Sequence, residues 1–303
     1  MSYAAVGRKL GAGEMVILDG AIGTEILRRN LSWADHQLAS RPEFVRGIHE
    51  DYIRAGADVI STNSFQLCRR ALYNHFRDLA HRRQIGAADL DERADKLLAA
   101  SVHLAIEART RVAGGRPVAV AAAITTLEWC FRPDLAPSAK QAKSEYREIF
   151  QVVKDAGADL VLLETLNSIS EARAALEVAK SLGLPCWTSF VCDQRGRLFT
   201  GETMAEMVAA LEPLGVDAIL LNCAPPGDIN AGLKELLATA HVTTGAYPHI
   251  GRFDPPEWMF TDEYPPARYL QVATSWKRMG ARILGGCCGT TPDHIAALGD
   301  LRA

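Results

Sequence analysis

Apolar positions along this chain follow two alternating patterns. Short continuous apolar runs, such as those at 15–18 and 160–164, are typical of strands that are buried on both faces of a parallel sheet. Between the runs, apolar residues recur at spacings of three and four, as over 42–55, which predicts amphipathic helices. The chain therefore reads as about eight units, each a strand followed by a helix.

The predicted elements cover most of the sequence. Strands are predicted at 15–18, 59–62, from 117 onward, 160–164, 186–192, 215–223 and 280–288, and a strand with its following loop is predicted at 242–251. Helices are predicted at 42–55, up to about 112, and at 138–156, 169–182, 204–214, 228–239, 266–279 and 292–301. Four glycines that precede strands are expected to end helices in a left-handed conformation. They are Gly56, Gly157, Gly215 and Gly280.

This order of elements favours a single α/β domain over residues 1–303, folded as a (β/α)8 TIM barrel. A doubly wound open sheet is the alternative, but a strand near each end of the chain favours closure. No linker, low-complexity segment or charged block divides the sequence. A length of 303 residues suits one such barrel with a large core.

Charge and cysteine content exclude several classes of partner. A net charge of −3 gives no electrostatic basis for binding nucleic acid or an anionic membrane, and no apolar run is as long as a membrane span. The first residues lack the apolar region of a signal peptide. Seven cysteines, an odd number spread along the chain, argue against a disulfide scaffold and for the cytoplasm. Assembly into a homo-oligomer is compatible with these features.

Polar and thiol side chains fall where the predicted strands end. In a (β/α)8 barrel this end carries the active site, so these side chains are expected to converge at one mouth of the barrel. They belong to Asp19, Asn63, Glu164, Cys223, Tyr247, His249, Cys287 and Cys288.

The adjacent cysteines Cys287 and Cys288 are the most unusual feature of this face. Glycines flank the pair, so the backbone can turn and direct both thiols to one centre, whereas a disulfide between neighbours would be strained. Cys223 ends the sixth predicted strand. In a closed barrel this strand lies two strands away from the one that carries Cys287 and Cys288. Three cysteines from two strand ends are typical of a catalytic zinc site with an open fourth position. The alternative is three small cysteines buried in the core.

Three cysteine ligands favour one kind of chemistry. Three thiolates give the zinc complex a net negative charge, so it generates hydroxide poorly and is better suited to holding a substrate thiol as a nucleophilic thiolate. Hydrolytic sites instead use histidine and carboxylate ligands. The ligand set therefore indicates transfer of an alkyl group onto sulfur. Tyr247 or His249 is a candidate for a fourth protein ligand, which would instead make the site structural.

Acidic residues and glycines on the same face are candidates for contacts with a substrate. Glu164, and less strongly Asp19, could bind an ammonium group, although capping the next helix is the alternative role. The backbone N–H groups of Gly20 and Ala21 could hold a carboxylate.

Aromatic side chains in or beside the loops of this face could surround a methylated cation through cation–π contacts. They belong to Trp33, Phe65, Trp129 and Tyr247. For any one of them, packing is the commoner role. Asn63, at the end of the second strand, is a further candidate for substrate binding.

Six motifs in order resemble the homocysteine S-methyltransferases, a family of zinc-dependent (β/α)8 enzymes. They are LDGAIGTE, AGADVISTNSF, DLVLLETLNS, LLNC, YPHIG and GARILGGCCGTTPDHI. The resemblance spans nearly the whole chain, and the last motif is highly specific. It implies that Cys223, Cys287 and Cys288 bind zinc and that homocysteine sulfur takes the open position. It also implies that Asp19 and Glu164 lie near the amino acid group.

The implied methyl donor is less sharply defined. Stand-alone members of the family use S-methylmethionine, S-adenosylmethionine, betaine or a thetin, each with a methyl group on cationic sulfur or nitrogen. After the third strand the family usually has Gly-Ser-x-Gly-Pro, whereas this chain has AAAITTLEWCFRP, with Glu128, Trp129 and Arg132. YPHIG likewise replaces the commoner YPN. Two alternatives remain: methylation of a different thiol, or a non-catalytic zinc barrel that is a subunit of a corrinoid methyl-transfer system.

Overall fold

The structure is a computed structural model that describes residues 2–31, 37–75, 90–254 and 257–302. Its strands are β1 Val16–Ile17, β2 Val59–Ser61, β3 Ala119–Ile124, β4 Leu160–Leu166, β5 Cys186–Phe190, β6 Ala218–Asn222, β7 Thr243–Tyr247, β8 Arg252–Asp254, β9 Glu257–Met259 and β10 Ile283–Leu284. Its helices are α1 Ser2–Gly11, α2 Gly23–Arg28, α3 Pro42–Arg54, α4 Arg69–His75, α5 Leu90–Val112, α6 Ala139–Asp155, α7 Ile169–Ser181, α8 Met204–Leu211, α9 Pro226–Thr239, α10 Pro266–Met279 and α11 Pro292–Ala297.

Eight parallel strands form the central sheet, in the order β1-β10-β7-β6-β5-β4-β3-β2. The two end strands meet through a parallel bridge between Leu18 and Val59. Beside it, the N–H of Asp19 donates to the Val59 carbonyl at 3.0 Å and the N–H of Asp58 donates to the Ile17 carbonyl at 2.7 Å. The sheet is therefore a nearly closed barrel, which confirms the predicted TIM barrel rather than an open sheet.

Before several strands, a glycine is followed two residues later by an aspartate, and each of the two residues has a structural role. Gly56, Gly157, Gly215 and Gly280 all have positive φ angles, so each ends a helix as predicted. Three aspartates that lie two residues beyond a glycine each accept a hydrogen bond, at 2.8–2.9 Å, from a backbone N–H of the preceding barrel strand. They are Asp58, Asp159 and Asp217.

Side chains that alternate along the strands fill the barrel interior. Leu18, Leu162, Trp187, Leu220 and Ile283 are fully buried members of this inner cluster. The other face of the strands packs against the helices in a larger cluster. The barrel interior is thus a filled core, and the active site is expected at the mouth of the barrel, where the strands end.

Several elements of the fold were not predicted, including the short helices α2 and α4. Helix α1 packs against the end of the barrel where the strands start: Val6 is buried in the inner cluster, and the ring of Tyr3 lies 6.4 Å from that of Trp187. Strands β8 and β9 form a short antiparallel hairpin after β7. Among the described residues, no helix is both long and apolar enough to cross a membrane.

Candidate metal centre and active site

Three cysteine sulfurs converge at the mouth of the barrel. The sulfur atoms of Cys223, Cys287 and Cys288 all lie within 4.8 Å of one another, and each residue is half-buried. Among the described residues, no histidine, aspartate or glutamate offers a ligand atom that joins this group. The three sulfurs therefore form a cluster of soft ligands able to hold one metal ion.

Cys223 enters the cluster because its backbone leaves the strand sharply. It follows the last residue of β6 and has a left-handed φ of 52°, which is rare for a residue with a side chain. Its N–H still bonds to the carbonyl of Tyr247 on β7, at 3.4 Å. The backbone thus turns at the strand end, and a strained conformation of this kind is common where a site demands it.

The glycines around the cysteine pair are required by close packing. A Cβ atom at Gly286 would lie 2.2 Å from the hydroxyl oxygen of Thr290. At Gly289 it would lie 1.8 Å from the carbonyl oxygen of Ile250, and φ there is 88°. Strand β10 ends at Leu284, earlier than the predicted 288, so both thiols belong to a glycine turn and not to the strand.

Hydrogen bonds fix this turn to neighbouring loops. The N–H of Cys287 donates to the Pro248 carbonyl at 2.9 Å, and the N–H of Ile250 donates to the Cys288 carbonyl at 2.8 Å. Thr290 holds the turn from within, because its hydroxyl donates to the Cys287 carbonyl at 2.7 Å. The pair is therefore a preformed part of the mouth.

The three thiols share their protons unequally. Hydrogen bonds from Cys223 and Cys287 hold the pKa of Cys288 well below its usual range. Hydrogen bonds with Cys287 and Cys288, together with burial, raise the pKa of Cys223. A cation that replaces the shared protons would stabilise the thiolate forms of such closely spaced thiols.

Glu164 lies on β4, in the same buried region. Its carboxylate makes no hydrogen bond to any of the described residues, and burial together with the negative charge of Cys287 raises its pKa to about 8. An unpaired carboxylate in a buried site is unfavourable unless a cation joins it. Glu164 is therefore poised for a cationic group of a ligand.

The carboxylate of Asp19, by contrast, already has hydrogen-bond partners within the protein. Its side chain accepts hydrogen bonds from the N–H of Ser61 at 2.7 Å and from the Ser61 hydroxyl at 3.0 Å. Burial nevertheless raises the pKa of Asp19 well above its usual range, and the charge of Glu164 adds to this effect. Asp19 thus links the ends of β1 and β2 through Ser61.

The segment after β1 packs closely against the cysteine turn. A Cβ atom at Gly20 would lie 2.8 Å from the hydroxyl oxygens of Thr290 and Tyr52. The N–H of Ala21 points at the Thr290 hydroxyl, at 3.3 Å, and Tyr52 donates to the Ala21 carbonyl at 2.8 Å. The glycine is therefore needed for this approach, and the N–H of Ala21 has a protein partner.

With this geometry in place, comparison with known proteins identifies the family. The family profile described as Homocysteine S-methyltransferase matches residues 16–301. The chain belongs to the homocysteine S-methyltransferase family. This confirms the resemblance seen in the motifs, and the chain is an enzyme of this type.

Relatives of this homocysteine S-methyltransferase chain agree over almost its whole length. The homocysteine S-methyltransferase of Escherichia coli (strain K12) is 31% identical, over 94% of this chain and 94% of the relative. A selenocysteine Se-methyltransferase from Brassica oleracea var. italica is 28% identical, over 94% of this chain and 88% of the relative. The crystal structure of the E. coli homocysteine methyltransferase MmuM in its metallated form has a TM-score of 0.77, 30% identity and coverage of 95% of this chain and 96% of that chain.

The aromatic residues predicted to contact a substrate occupy different environments. Tyr247 ends β7 and is buried, and its hydroxyl has no hydrogen-bond partner among the described residues. Asn63 is buried just after β2, and Phe65 is half-buried beside it. Trp129 lies on the loop after β3 and is 46% exposed. Trp33 lies outside the described residues.

Trp129 is part of an exposed aromatic row that was not predicted from the sequence. The ring of Phe131 lies 6.4 Å from that of Trp129 and 5.8 Å from that of Phe199. Phe131 could have been found from its place in the same loop. Phe199 could not, because it comes from the loop after β5 and only the folded barrel brings it near.

The loop that carries Trp129 is firmly held. Glu128 pairs with Arg70 at 2.9 Å, and Asn167 donates to the carbonyl of Cys130 at 2.7 Å. The thiol of Cys130 is buried, and burial, with added effects from the charges of Cys287 and Glu164, raises its pKa to about 12. The loop thus passes the cysteine cluster with Cys130 inward and Trp129 outward.

The remaining cysteines and histidines are arranged as packing residues. All seven cysteines are free thiols, and Cys68, Cys130, Cys186 and Cys192 are buried and do not join the cluster of three. His294 sits in the first turn of α11 with one ring nitrogen against Thr291 and the other 2.8 Å from the Tyr264 carbonyl, so both ring nitrogens have partners within the protein. The ring of His249 packs edge-on against Trp258, at 5.7 Å.

Proposed function

We propose that this chain transfers a methyl group from a sulfonium or quaternary ammonium donor to the sulfur of L-homocysteine, giving methionine. The observation that carries the proposal is the convergence of Cys223, Cys287 and Cys288 at the mouth of a barrel of this family. In this reaction a bond forms between sulfur and the methyl carbon while the bond from that carbon to the cationic atom breaks. The electron pair stays with the leaving group, which becomes neutral, and the thiol proton passes to solvent.

We propose that the three cysteines hold a zinc ion. Their soft sulfurs lie close enough to share one ion, and the absence of a nearby histidine or carboxylate ligand among the described residues supports a fourth position for substrate sulfur. When bound, zinc would lower the pKa of a coordinated thiol so that it is ionised yet nucleophilic at neutral pH. The free state of all seven cysteines supports a reducing compartment such as the cytoplasm.

Glu164 is proposed to bind the ammonium group of homocysteine. It is the one of the two acidic candidates whose carboxylate lacks a partner in the described part of the chain, and an ammonium ion would stabilise its charged form. Asp19 would act by holding Ser61 at the end of β2. Gly20 remains a candidate for a contact with the carboxylate, with Ala21 a weaker one because of its bond to Thr290.

The donor is proposed to approach from the rim that carries Trp129. Exposed aromatic faces attract methylated cations, and Phe131 and Phe199 extend that surface. The buried hydroxyl of Tyr247, which has no partner among the described residues, faces a polar group of a substrate in this proposal. Phe65, Asn63 and Trp33 stay candidates for substrate contact.

A panel of methyl donors tests the proposed function. Purified protein is loaded with zinc, given homocysteine with S-methylmethionine, S-adenosylmethionine, betaine or dimethylsulfoniopropionate in turn, and assayed for methionine. Methionine should form with at least one donor and should stop when the metal is removed and return when zinc is restored. A parallel arm with selenocysteine as acceptor tests the alternative acceptor that one relative's name suggests. Absence of product from every donor with homocysteine would reject the proposal.

A further inference from the structure

Strand β4 carries an irregularity at Glu164. Leu163 pairs with Thr188 of β5, but Leu166 pairs with Phe190, so β4 has one extra residue in this stretch. Thr165 takes up the extra length with a φ of 58°. A β-branched residue rarely adopts a left-handed conformation, so something must hold it there.

The extra residue changes which side chains face the barrel interior. Leu160 and Leu162 belong to the inner cluster, and Glu164 continues that alternation. Leu166 belongs instead to the outer cluster, so the alternation shifts by one within the bulge. Glu164 and Thr165 can therefore both direct their side chains inward, although they are adjacent in sequence.

Asn222 holds this bulge from two strands away. Its side-chain oxygen accepts the N–H of Thr165 at 3.0 Å, and its side-chain nitrogen donates to the Thr165 hydroxyl at 2.9 Å. Ser189, on the strand between them, donates to the same oxygen at 2.8 Å. Because all three residues are buried, the amide replaces hydrogen bonds that water cannot supply.

Asn222 is also the residue immediately before Cys223. Its backbone pairs with Tyr247 of β7, and the chain then turns into the left-handed conformation of Cys223. One residue therefore touches both halves of the site. Its side chain holds the bulge that carries Glu164, and its backbone leads into a sulfur of the cysteine cluster.

We propose that Asn222 is a positioning residue that fixes the carboxylate of Glu164 relative to the sulfur of Cys223. It acts through Thr165 and touches neither substrate nor the reacting atoms. This inference rests on the proposed function, in which Glu164 binds the ammonium group and the cysteine cluster binds the sulfur of one homocysteine molecule. A fixed separation between the two would then select a thiol with its amine at the right distance.

Asn222→Ala is the main test, with Ser189→Ala as its matched control. Asn222→Ala removes both contacts to Thr165, whereas Ser189→Ala removes a contact to the same amide oxygen and leaves Thr165 held. We expect Asn222→Ala to raise the KM for homocysteine about tenfold or more, with the KM for the donor nearly unchanged, as for other residues that orient a site from behind. Ser189→Ala should stay close to the parent protein in both constants.

Loss of zinc to a chelator gives a readout that needs no catalysis. Zinc-loaded parent and variant proteins are mixed with a coloured chelator, and release is followed by absorbance. Asn222→Ala should release zinc about tenfold faster than either the parent or Ser189→Ala, because the backbone that presents Cys223 is less constrained. This arm works even if no methyl donor is accepted, so it separates failure of this inference from failure of the proposed function.

A change at Thr165 tests the route of action. Glycine adopts a left-handed φ without help, so Thr165→Gly removes part of the need for Asn222. The effect of Asn222→Ala on zinc release and on the KM for homocysteine should therefore be smaller in a Thr165→Gly background than in the parent. Equal effects in the two backgrounds would overturn the proposed route. A variant that only lowers Tm, with both KM values and the zinc release rate unchanged, would show that Asn222 is merely structural.

Discussion

Cysteines in this barrel differ in what surrounds their sulfur atoms. Cys223, Cys287 and Cys288 lie within 4.8 Å of one another at the mouth, while Cys192 is buried behind the strands with its thiol directed at the Asp228 carbonyl, 3.6 Å away. A buried thiol with one backbone partner is a packing residue. Three convergent thiols that share protons form a group that is able to bind a cation.

Replacing one cluster cysteine should therefore separate binding of the metal from folding. Cys287→Ser is expected to lower zinc content well below the parent protein and to reduce methionine formation by more than about 100-fold, since even residues behind the ligands are worth 10–100-fold. Cys192→Ser is the control, because a serine hydroxyl can keep the bond to the Asp228 carbonyl. Metal analysis, turnover and circular dichroism would be measured on both. Near-normal turnover of Cys287→Ser would exclude it as a ligand.

At the level of single residues, the cysteine cluster could be predicted from the sequence, but the hydrogen bonds of Asn222 behind it could not. Adjacent cysteines between glycines are visible in the sequence, and strand order was enough to bring Cys223 to them. The contact of Asn222 with Thr165 was not predictable, because it depends on one extra residue in β4. A bulge changes which face of the sheet a side chain occupies, and the apolar pattern of a strand as short as β4 does not reveal that change.

The loop after β3 is the element most specific to this chain. It is anchored by Glu128 and by the carbonyl of Cys130, so the exposure of Trp129 is imposed by a held backbone. Large exposed aromatic residues that form a row, as Trp129 does with Phe131 and Phe199, commonly mark a binding surface. The sequence predicted the strand and the unusual loop, whereas the neighbouring Phe199 required the fold.

Trp129 should therefore affect the donor and not the acceptor. Trp129→Ala is expected to raise the KM for a cationic donor by about 2- to 30-fold, the range that corresponds to a cation–π contact of roughly 0.5–2 kcal/mol. Trp129→Phe should recover part of the loss, because it keeps an aromatic face. Leu135→Ala is the control, since Leu135 is equally exposed but not in the aromatic row. Steady-state kinetics with each substrate varied in turn would decide; a rise in the KM for homocysteine alone would contradict the donor role.

For the whole molecule, the apolar pattern predicted that the barrel closes but not how β1 and β2 are joined. Eight strands and their order followed from the sequence, but β1 and β10 are two residues each, and β1 meets β2 only through one bridge. Side chains strengthen that seam. Asp58 accepts the N–H of Ile17 at 2.9 Å and binds Lys9 of α1 at 2.7 Å and Arg302, near the other end of the chain, at 2.9 Å. Helix α1 was missed because its contribution is visible only once the barrel exists.

Asp58 should therefore control stability in a way that depends on pH. Burial alone would raise its pKa, but the hydrogen bonds from Ile17, Lys9 and Arg302 outweigh burial and hold the pKa of Asp58 below its usual value. A carboxylate with a depressed pKa adds stability above its unfolded pKa of about 3.9, and that stability is lost as the pH falls through the folded pKa. Asp58→Asn should lower the free energy of unfolding at pH 7 by about 2–3 kcal/mol, the range for a lost charged hydrogen bond.

Asp217→Asn is the matched control for this change. Asp217 also accepts a strand N–H, that of Cys186 at 2.8 Å, but it is half-exposed and joins strands that already share a regular ladder. Its replacement should cost clearly less than that of Asp58, because the ladder remains and solvent screens the charge. Urea unfolding at a series of pH values would measure both variants, and the gap between Asp58→Asn and the parent should narrow below about pH 4. Equal losses for the two variants, or a gap independent of pH, would mean that the seam between β1 and β2 does not limit the stability of the barrel.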